Sequence, residues 1–438
     1  MFKYPLIGDF HLGVILDFKI RSVRAREILD SRGNPTVAVN LRTKNCCVVS
    51  MVPSGASTGV HEALELRDNN KSRYSGKGVL KAVNNVNKII EKKLIGKDCR
   101  NQREIDNFLI ELDGTGNKSR LGANAILGAS MAVCRAGACC SGRPLYRHIQ
   151  KLSNSTKLLL PMPQMNVINS GKHAGVEHGI QEHMIMPVGF KAFKDALRAG
   201  AETYHNLKNI LKKKYGAQAS LLGDEGGFAP PIKDVEGRLE LLMKAIKESG
   251  YNGKMKLALD CAASEFYDKK SNKYTINNKR YNNGELIDFY KKLIRKFPIV
   301  SIEDGFSQDD WNGWNQFNTE LGSKIQIVGD DLLVTSIKRI KKALDENACN
   351  ALLLKVNQIG TVTESIDAAN VAFKNKWNVV VSHRSGETED SFIADLAVGL
   401  GAPQSKFGAP ARSERTAKYN RLLRIEGKLG NKAGFARL

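Results

Sequence analysis

Five short apolar runs in the second half of the chain each end in an ionisable residue: Lys256–Asp260, Pro298–Glu303, Ile325–Asp330, Ala351–Lys355 and Asn378–His383. A run that is apolar along its whole length reads as a strand of a parallel sheet covered on both faces. Successive ends lie one strand-plus-helix unit apart, and the roughly 280 residues after position 158 are enough for a closed eight-stranded barrel. All strand C-termini of such a barrel open on one face. Asp260, Glu303, Asp330, Lys355 and His383 are therefore predicted to meet there.

Three carboxylates with no cysteine nearby favour a hard divalent cation with oxygen ligands, Mg²⁺ before Zn²⁺. Lys355, flanked by Leu354 and Val356 and near a bound metal, is expected to have its ammonium form disfavoured and to act as a base. A cation beside a lysine base suits removal of a proton α to a carboxylate, because the cation balances the enediolate charge. Gly223–Phe228 (GDEGGF) sets two acids between glycines, where backbone approaches a ligand closely. Ser54–Gly59 (SGASTG) is a small-residue loop able to fold over a substrate. His383-Arg384-Ser385-Gly386 offers a guanidinium and a hydroxyl to a phosphate. Lys406 lies in a glycine-containing loop with a second basic cluster, Arg412 and Arg415, so the substrate should be an anion carried with metal.

The elements that position these groups are legible in part. Ile20 to Leu41 alternates and is broken by Asp30-Ser-Arg-Gly-Asn-Pro35, hence strand, turn, strand. A third strand is predicted over Cys46–Pro53 and helices over Val79–Leu94 and Asn124–Cys140, with a boundary near Pro144. This predicts an extension at 1–19, an N-terminal α+β domain at 20–143 and a catalytic barrel at 144–438.

Composition narrows the class. Apolar residues at 42% and charged residues at 26% exclude a fibre or a disordered tail. No stretch reaches 18 uninterrupted apolar residues, so no membrane span is expected. The net charge of +22 is dispersed in short groups such as Lys212-Lys213-Lys214, with only three Trp as stacking platforms. A generally basic surface explains this better than a nucleic-acid footprint. The eight cysteines form no C-x-x-C pair and read as buried free thiols of a reducing compartment. Asp9, His11 and Asp17 interrupt an otherwise apolar start that lacks a small-residue cleavage site, so a cytoplasmic protein is expected.

Longer segments carry a resemblance. Ala25–Thr36 (AREILDSRGNPT), Ser54–Asp68 (SGASTGVHEALELRD), Asp113–Ser130 (DGTGNKSRLGANAILGAS), Gly223–Pro230 (GDEGGFAP), Leu352–Thr361 (LLLKVNQIGT), Ser382–Asp390 (SHRSGETED) and Gly408–Arg415 (GAPARSER) occur in order. From about Ile20 to Leu438 the chain resembles the enolase (phosphopyruvate hydratase) family. The resemblance implies a glycolytic and gluconeogenic lyase that reversibly dehydrates 2-phosphoglycerate to phosphoenolpyruvate. It implies an N-terminal α+β domain on a barrel that opens with two strands and two helices. Lys355 matches the base at C2, and Glu225 the acid at the C3 hydroxyl, with Glu182 the second acid of that pair. Asp260, Glu303 and Asp330 match the ligands of the tighter of two magnesium ions. Ser57 matches the mobile-loop ligand of the second, which arrives with substrate. His173 and His383 match substrate-side histidines, Arg384 and Ser385 the phosphate contacts, and Lys406 the carboxylate-binding lysine. Family members form homodimers or octamers.

Departures from the family pattern are Gly305 in place of a proline, Phe407 beside Lys406, His183 in place of a phenylalanine and Ala38 in place of an acid. Phe407 is expected to put its ring beside the carboxylate-binding lysine. Asp331 is a second candidate for metal duty beside Asp330. His178, His183 and His205 have no role to carry over. The remaining readings are a dehydratase of another carboxylate and a polyanion-binding protein on the same scaffold. The latter is measurable: affinity for a polyanion would fall steeply from low to physiological salt. No binding at low salt disposes of it.

Overall fold

The computed structural model describes residues 17–55, 59–171 and 179–438. Strands β1 (Ser22–Leu29), β2 (Pro35–Arg42) and β3 (Cys47–Met51) form an antiparallel sheet in that order. The β1–β2 turn is fixed by Asp30, whose Oδ1 accepts from the backbone N–H of Arg32 at 2.8 Å and of Asn34 at 2.9 Å. Gly33 supplies the left-handed residue there at φ +73°. Helices α1 (Gln102–Asp113), α2 (Ala123–Cys140) and α3 (Leu145–Ser153) follow. By length and composition α2 is apolar enough to cross a membrane, but 83% of its window is buried inside the protein, against the sheet. It is a core helix, which its abundance of alanine and glycine permits by close approach.

The barrel begins with β4 (Met162–Asn169) and β5 (Glu182–Met186), which pair antiparallel. Helices α4 (Phe193–Tyr215) and α5 (Val235–Glu248) come next, and then β6 (Lys256–Asp260), antiparallel to β5. Parallel strands β7 (Ile299–Glu303), β8 (Gln326–Gly329), β9 (Ala351–Leu354), β10 (Asn378–Ser382) and β11 (Gln404–Lys406) complete it, and β11 closes on β4. Helices α6 (Asn283–Lys296), α7 (Trp311–Leu321), α8 (Ile337–Asp345), α9 (Val362–Lys374), α10 (Phe392–Leu400) and α11 (Ser413–Leu429) cover the parallel part. The architecture is the one expected: a three-stranded antiparallel N-terminal sheet with helices, then a closed eight-stranded barrel. Asp260 and Glu303 are the last residues of their strands, and Asp330, Lys355 and His383 stand one residue beyond theirs. β11 escapes the apolar pattern because it is three residues long and reads Gln-Ser-Lys.

One cysteine expectation is overturned. Cys46 and Cys139 form a disulfide, because the start of β3 and the end of α2 bring their Cα atoms to 6.4 Å. The other six cysteines are free. Of the leading extension, the described part docks on the N-terminal domain: Lys19 bridges to Asp98, and Phe18 lies under the Arg100 guanidinium.

The two domains are joined by capping. Ser130 Oγ on α2 accepts from the Val362 N–H at 2.9 Å, and Asp106 Oδ2 on α1 accepts from the Thr363 N–H at 2.9 Å. These are first-turn donors of α9, which has no internal partner for them. Ser130→Ala should cost about 1–3 kcal/mol, the price of an unpaired buried N–H. A urea unfolding curve reads this, and an unchanged midpoint would show that the cap contributes nothing.

Candidate active site

Adjacent strands β6 and β7 run in register, so Asp260 and Glu303 stand side by side at the C-terminal rim. Lys406, ending β11, reaches both: its Nζ is 2.8 Å from Asp260 Oδ2 and 2.9 Å from Glu303 Oε1, with Glu182 Oε2 at 3.3 Å. Burial works against the ammonium, yet Asp260, Glu182 and Glu303 outweigh it and hold Lys406 well above the usual lysine range. Burial likewise raises Glu303 and Glu182 well above the carboxylate range, Glu303 further through Asp260 and Glu182 further through Glu225. At Asp260 burial also raises, but Lys406 prevails and the carboxyl is lowered.

Lys355 Nζ pairs with Asp330 Oδ2, while Gln358 Nε2 donates to Asp330 Oδ1 at 2.7 Å. Asp304 organises this corner. It sits at φ +44°, and its two carboxylate oxygens accept from the N–H groups of Asp330 and Asp331, each at 2.9 Å. Asp331 is pushed up to about 7 by burial and then by Asp330.

Glu225, from the loop between α4 and α5, accepts from Asn166 Nδ2 at 3.0 Å and lies 3.5 Å from His383 Nε2. Arg415 Nη1 donates to His383 Nδ1 at 2.7 Å, which leaves the proton of a neutral ring on Nε2, facing Glu225. Arg415 also donates to the carbonyls of Arg384 and Ser385, both at 2.6 Å, and of Asp224 at 3.0 Å. It is wholly buried and serves as the strut of this wall. The N-terminal domain completes the rim. Ser54 and Gly386 exchange backbone hydrogen bonds at 2.7 and 2.8 Å, where a Cβ on Gly386 would meet Ser54 O at 2.7 Å. Glu62 accepts from Arg384 at 2.8 and 3.1 Å.

Glu182, Glu225, Asp260, Asp330, Lys355, His383, Arg384, Ser385 and Lys406 thus line one pocket. Ser57 and His173 lie outside the described residues, as does His178. Several expectations change. Lys355 is raised by its protein neighbours: burial disfavours its ammonium, but the facing Asp330 carboxylate more than compensates. Phe407, one residue past the end of β11, is fully buried, packs its ring 6.1 Å from that of Tyr419 and does not line the pocket. Arg412 and Arg415 are structural: Arg412 holds Glu414 at 2.9 Å and the Ser31 carbonyl at 3.1 Å. His183 alternates with Glu182 and is buried, its pKa well below the usual value through burial and then Arg238. Among the described residues, one carboxylate oxygen each of Asp304, Asp330 and Asp331 lie within 4.8 Å of one another, and Asp260 and Glu303 pair with Lys406. Sequence reasoning missed Asp304, Glu62 and Gln358. Only Asp304 left a signal, its adjacency to Glu303 at a strand end.

The residues fit a hard divalent cation. The donors are all oxygen, the carboxylates outnumber the lysines, and buried Glu303 Oε2 has no hydrogen-bond partner among the described residues.

Family models described as "Enolase, N-terminal domain" and "Enolase, C-terminal TIM barrel domain" match residues 20–149 and 157–437. The chain belongs to the enolase family. It is 57% identical over 427 residues to the enolase of Mastigamoeba balamuthi, covering 95% of this chain and 97% of that one. It is 58% identical over 414 residues to the enolase of Thermococcus gammatolerans (94% and 95%).

Burial first, and then Arg415 against Glu225, pushes His383 down to about 3. The folded state refuses a proton that the unfolded chain accepts near pH 6.5. This group's share of stability is therefore full above that pH and is lost as pH falls toward about 3. NMR of the ring should show no titration step near 6.5, and a normal step would refute the buried neutral state.

Proposed function

We propose that this chain carries out the enolase reaction, the reversible dehydration of 2-phosphoglycerate to phosphoenolpyruvate, as a carbon–oxygen lyase of glycolysis and gluconeogenesis. Lys355 removes the C2 proton, and Glu225, seconded by Glu182, protonates the departing C3 hydroxyl. Lys406 holds the substrate carboxylate, Arg384 and Ser385 the phosphate, and His173 and His383 border the substrate. Asp260, Glu303 and Asp330 would hold the tighter Mg²⁺, and Ser57 a second that enters with substrate. Bound there, the cation supplies positive charge against both the Lys355 ammonium and the negative charge that builds on the substrate carboxylate.

The observation that carries this reading is the sharing of one pocket by Lys355, the two glutamates and three further cationic or polar anchors, Lys406, Arg384 and Ser385. Burial keeps Glu182 above the carboxylate range, as a proton donor requires. Asp330 keeps Lys355 protonated, so proton abstraction requires that this carboxylate's charge be shared. Nothing specific favours a polyanion scaffold or another carboxylate substrate. The same reading takes Mg²⁺ as the metal, a cytoplasmic location and a homodimer or octamer.

Ultraviolet absorbance of the enol product after adding 2-phosphoglycerate, with Mg²⁺ and then with excess chelator, tests the reaction. Lys355→Ala should leave folding and Mg²⁺ binding intact and cut turnover by at least about a hundredfold. Retention of a tenth of the activity removes the base assignment. Asp260→Asn should raise the Mg²⁺ requirement sharply, and an unchanged metal titration would refute the ligand.

A further inference from the structure

A second cavity lies where α2 ends and α3 begins, sharing no lining residue with the active site. It encloses ≈ 550 Å³, the size of a small-molecule site. Phe18, Arg100, Arg143, His148, Lys151 and Leu152 line it.

Three observations mark it as an anion site. Arg143 and Lys151 make no ion pair or side-chain hydrogen bond among the described residues, while Asp98 is tied to Arg100 at 2.6 Å. His148 is only 3% exposed, yet neither ring nitrogen has a hydrogen-bond partner among the described residues, which is costly for a buried polar group unless something else pairs with it. Burial, then Arg143 and Lys151, push this imidazole down to about 4, so the two cations act on the cavity wall itself. The end of α2 is capped, since the N–H groups of Ser141, Gly142 and Arg143 donate to the carbonyls of Gly137, Cys139 and Ala138, so attraction for an anion must come from the side chains. Beside the cations, Phe18 lies 3.5 Å beneath the Arg100 guanidinium and, with Leu152, makes an apolar wall.

We propose that this cavity binds a phosphate monoester carried on an aromatic or apolar body, with Arg143, Lys151 and His148 on the phosphate and Phe18 and Leu152 on the body.

The test uses the full chain with AMP as probe, and adenosine and inorganic phosphate as the two halves. Calorimetric titration at low salt should give AMP the highest affinity of the three. Half-buried Cys140 lines the cavity and Cys47 is exposed elsewhere, so AMP should slow alkylation of Cys140 and not of Cys47. Arg143→Gln combined with Lys151→Gln, both outside the catalytic machinery, should weaken AMP by about tenfold or more and leave turnover unchanged. Absence of AMP and phosphate binding overturns the site. So does AMP binding that the double variant leaves intact, which would place the nucleotide in the active-site pocket. A chain with no dehydratase activity could still show this site, so the two readings fail separately.

Discussion

The structure depends on placing several carboxylates inside a protein without letting them repel one another apart. A charged carboxylate moved from water into the interior costs several kcal/mol after relaxation, on the order of what a whole domain's stability supplies. Lys406 makes this tolerable on one side of the barrel by touching Asp260, Glu303 and Glu182 together. Lys355 does so on the other through Asp330. Neither lysine could reach its partners unless the strands held register, since a shift of one residue would turn every side chain to the opposite face. Closure of β11 on β4 is thus an electrostatic requirement as well as a topological one.

Positions beside the chemistry are held by groups that touch no reacting atom. Asp304 holds the turn that presents Asp330 and Asp331 by accepting both backbone N–H groups, at the cost of a left-handed backbone. Arg415 clamps the turn after β10 to the 223–228 loop and sets the His383 tautomer. Because Arg415 comes from α11, late in the chain, and Asp224 from before β6, this wall of the pocket forms only when the barrel has closed.

What the sequence displays and conceals follows from the range of each interaction. Strand-end residues are legible because a short-range apolar pattern places them and the barrel rule gathers them. The roles of Glu62, Gln358 and Arg415 rest on tertiary contacts, Glu62 to Arg384 across 322 residues, Arg415 to Asp224 across 191 and Gln358 to Asp330 across 28, and no local pattern encodes those. Phe407 misleads because its ring packs on Tyr419, a residue of α11 that adjacency to Lys406 does not reveal. The Cys46–Cys139 bond is hidden by a separation of 93 residues.

The N-terminal domain is part of the site rather than an attachment to it. Its Ser54 backbone pairs with Gly386, and its Glu62 carboxylate orients Arg384, the guanidinium assigned to the phosphate. Its helices α1 and α2 also cap α9, the helix that follows the strand and turn bearing Lys355. The groups proposed to bind phosphate and to abstract the proton are therefore referenced to one neighbouring domain by two separate sets of hydrogen bonds. Loosening either junction would shift one group relative to the other, and displacement on the ångström scale is enough to cost an enzyme much of its rate. The seam needs small residues for that reason: Ser54 and Gly386 share backbone hydrogen bonds where a Cβ on Gly386 would meet Ser54 O at 2.7 Å, and Ser130 reaches across with its hydroxyl alone.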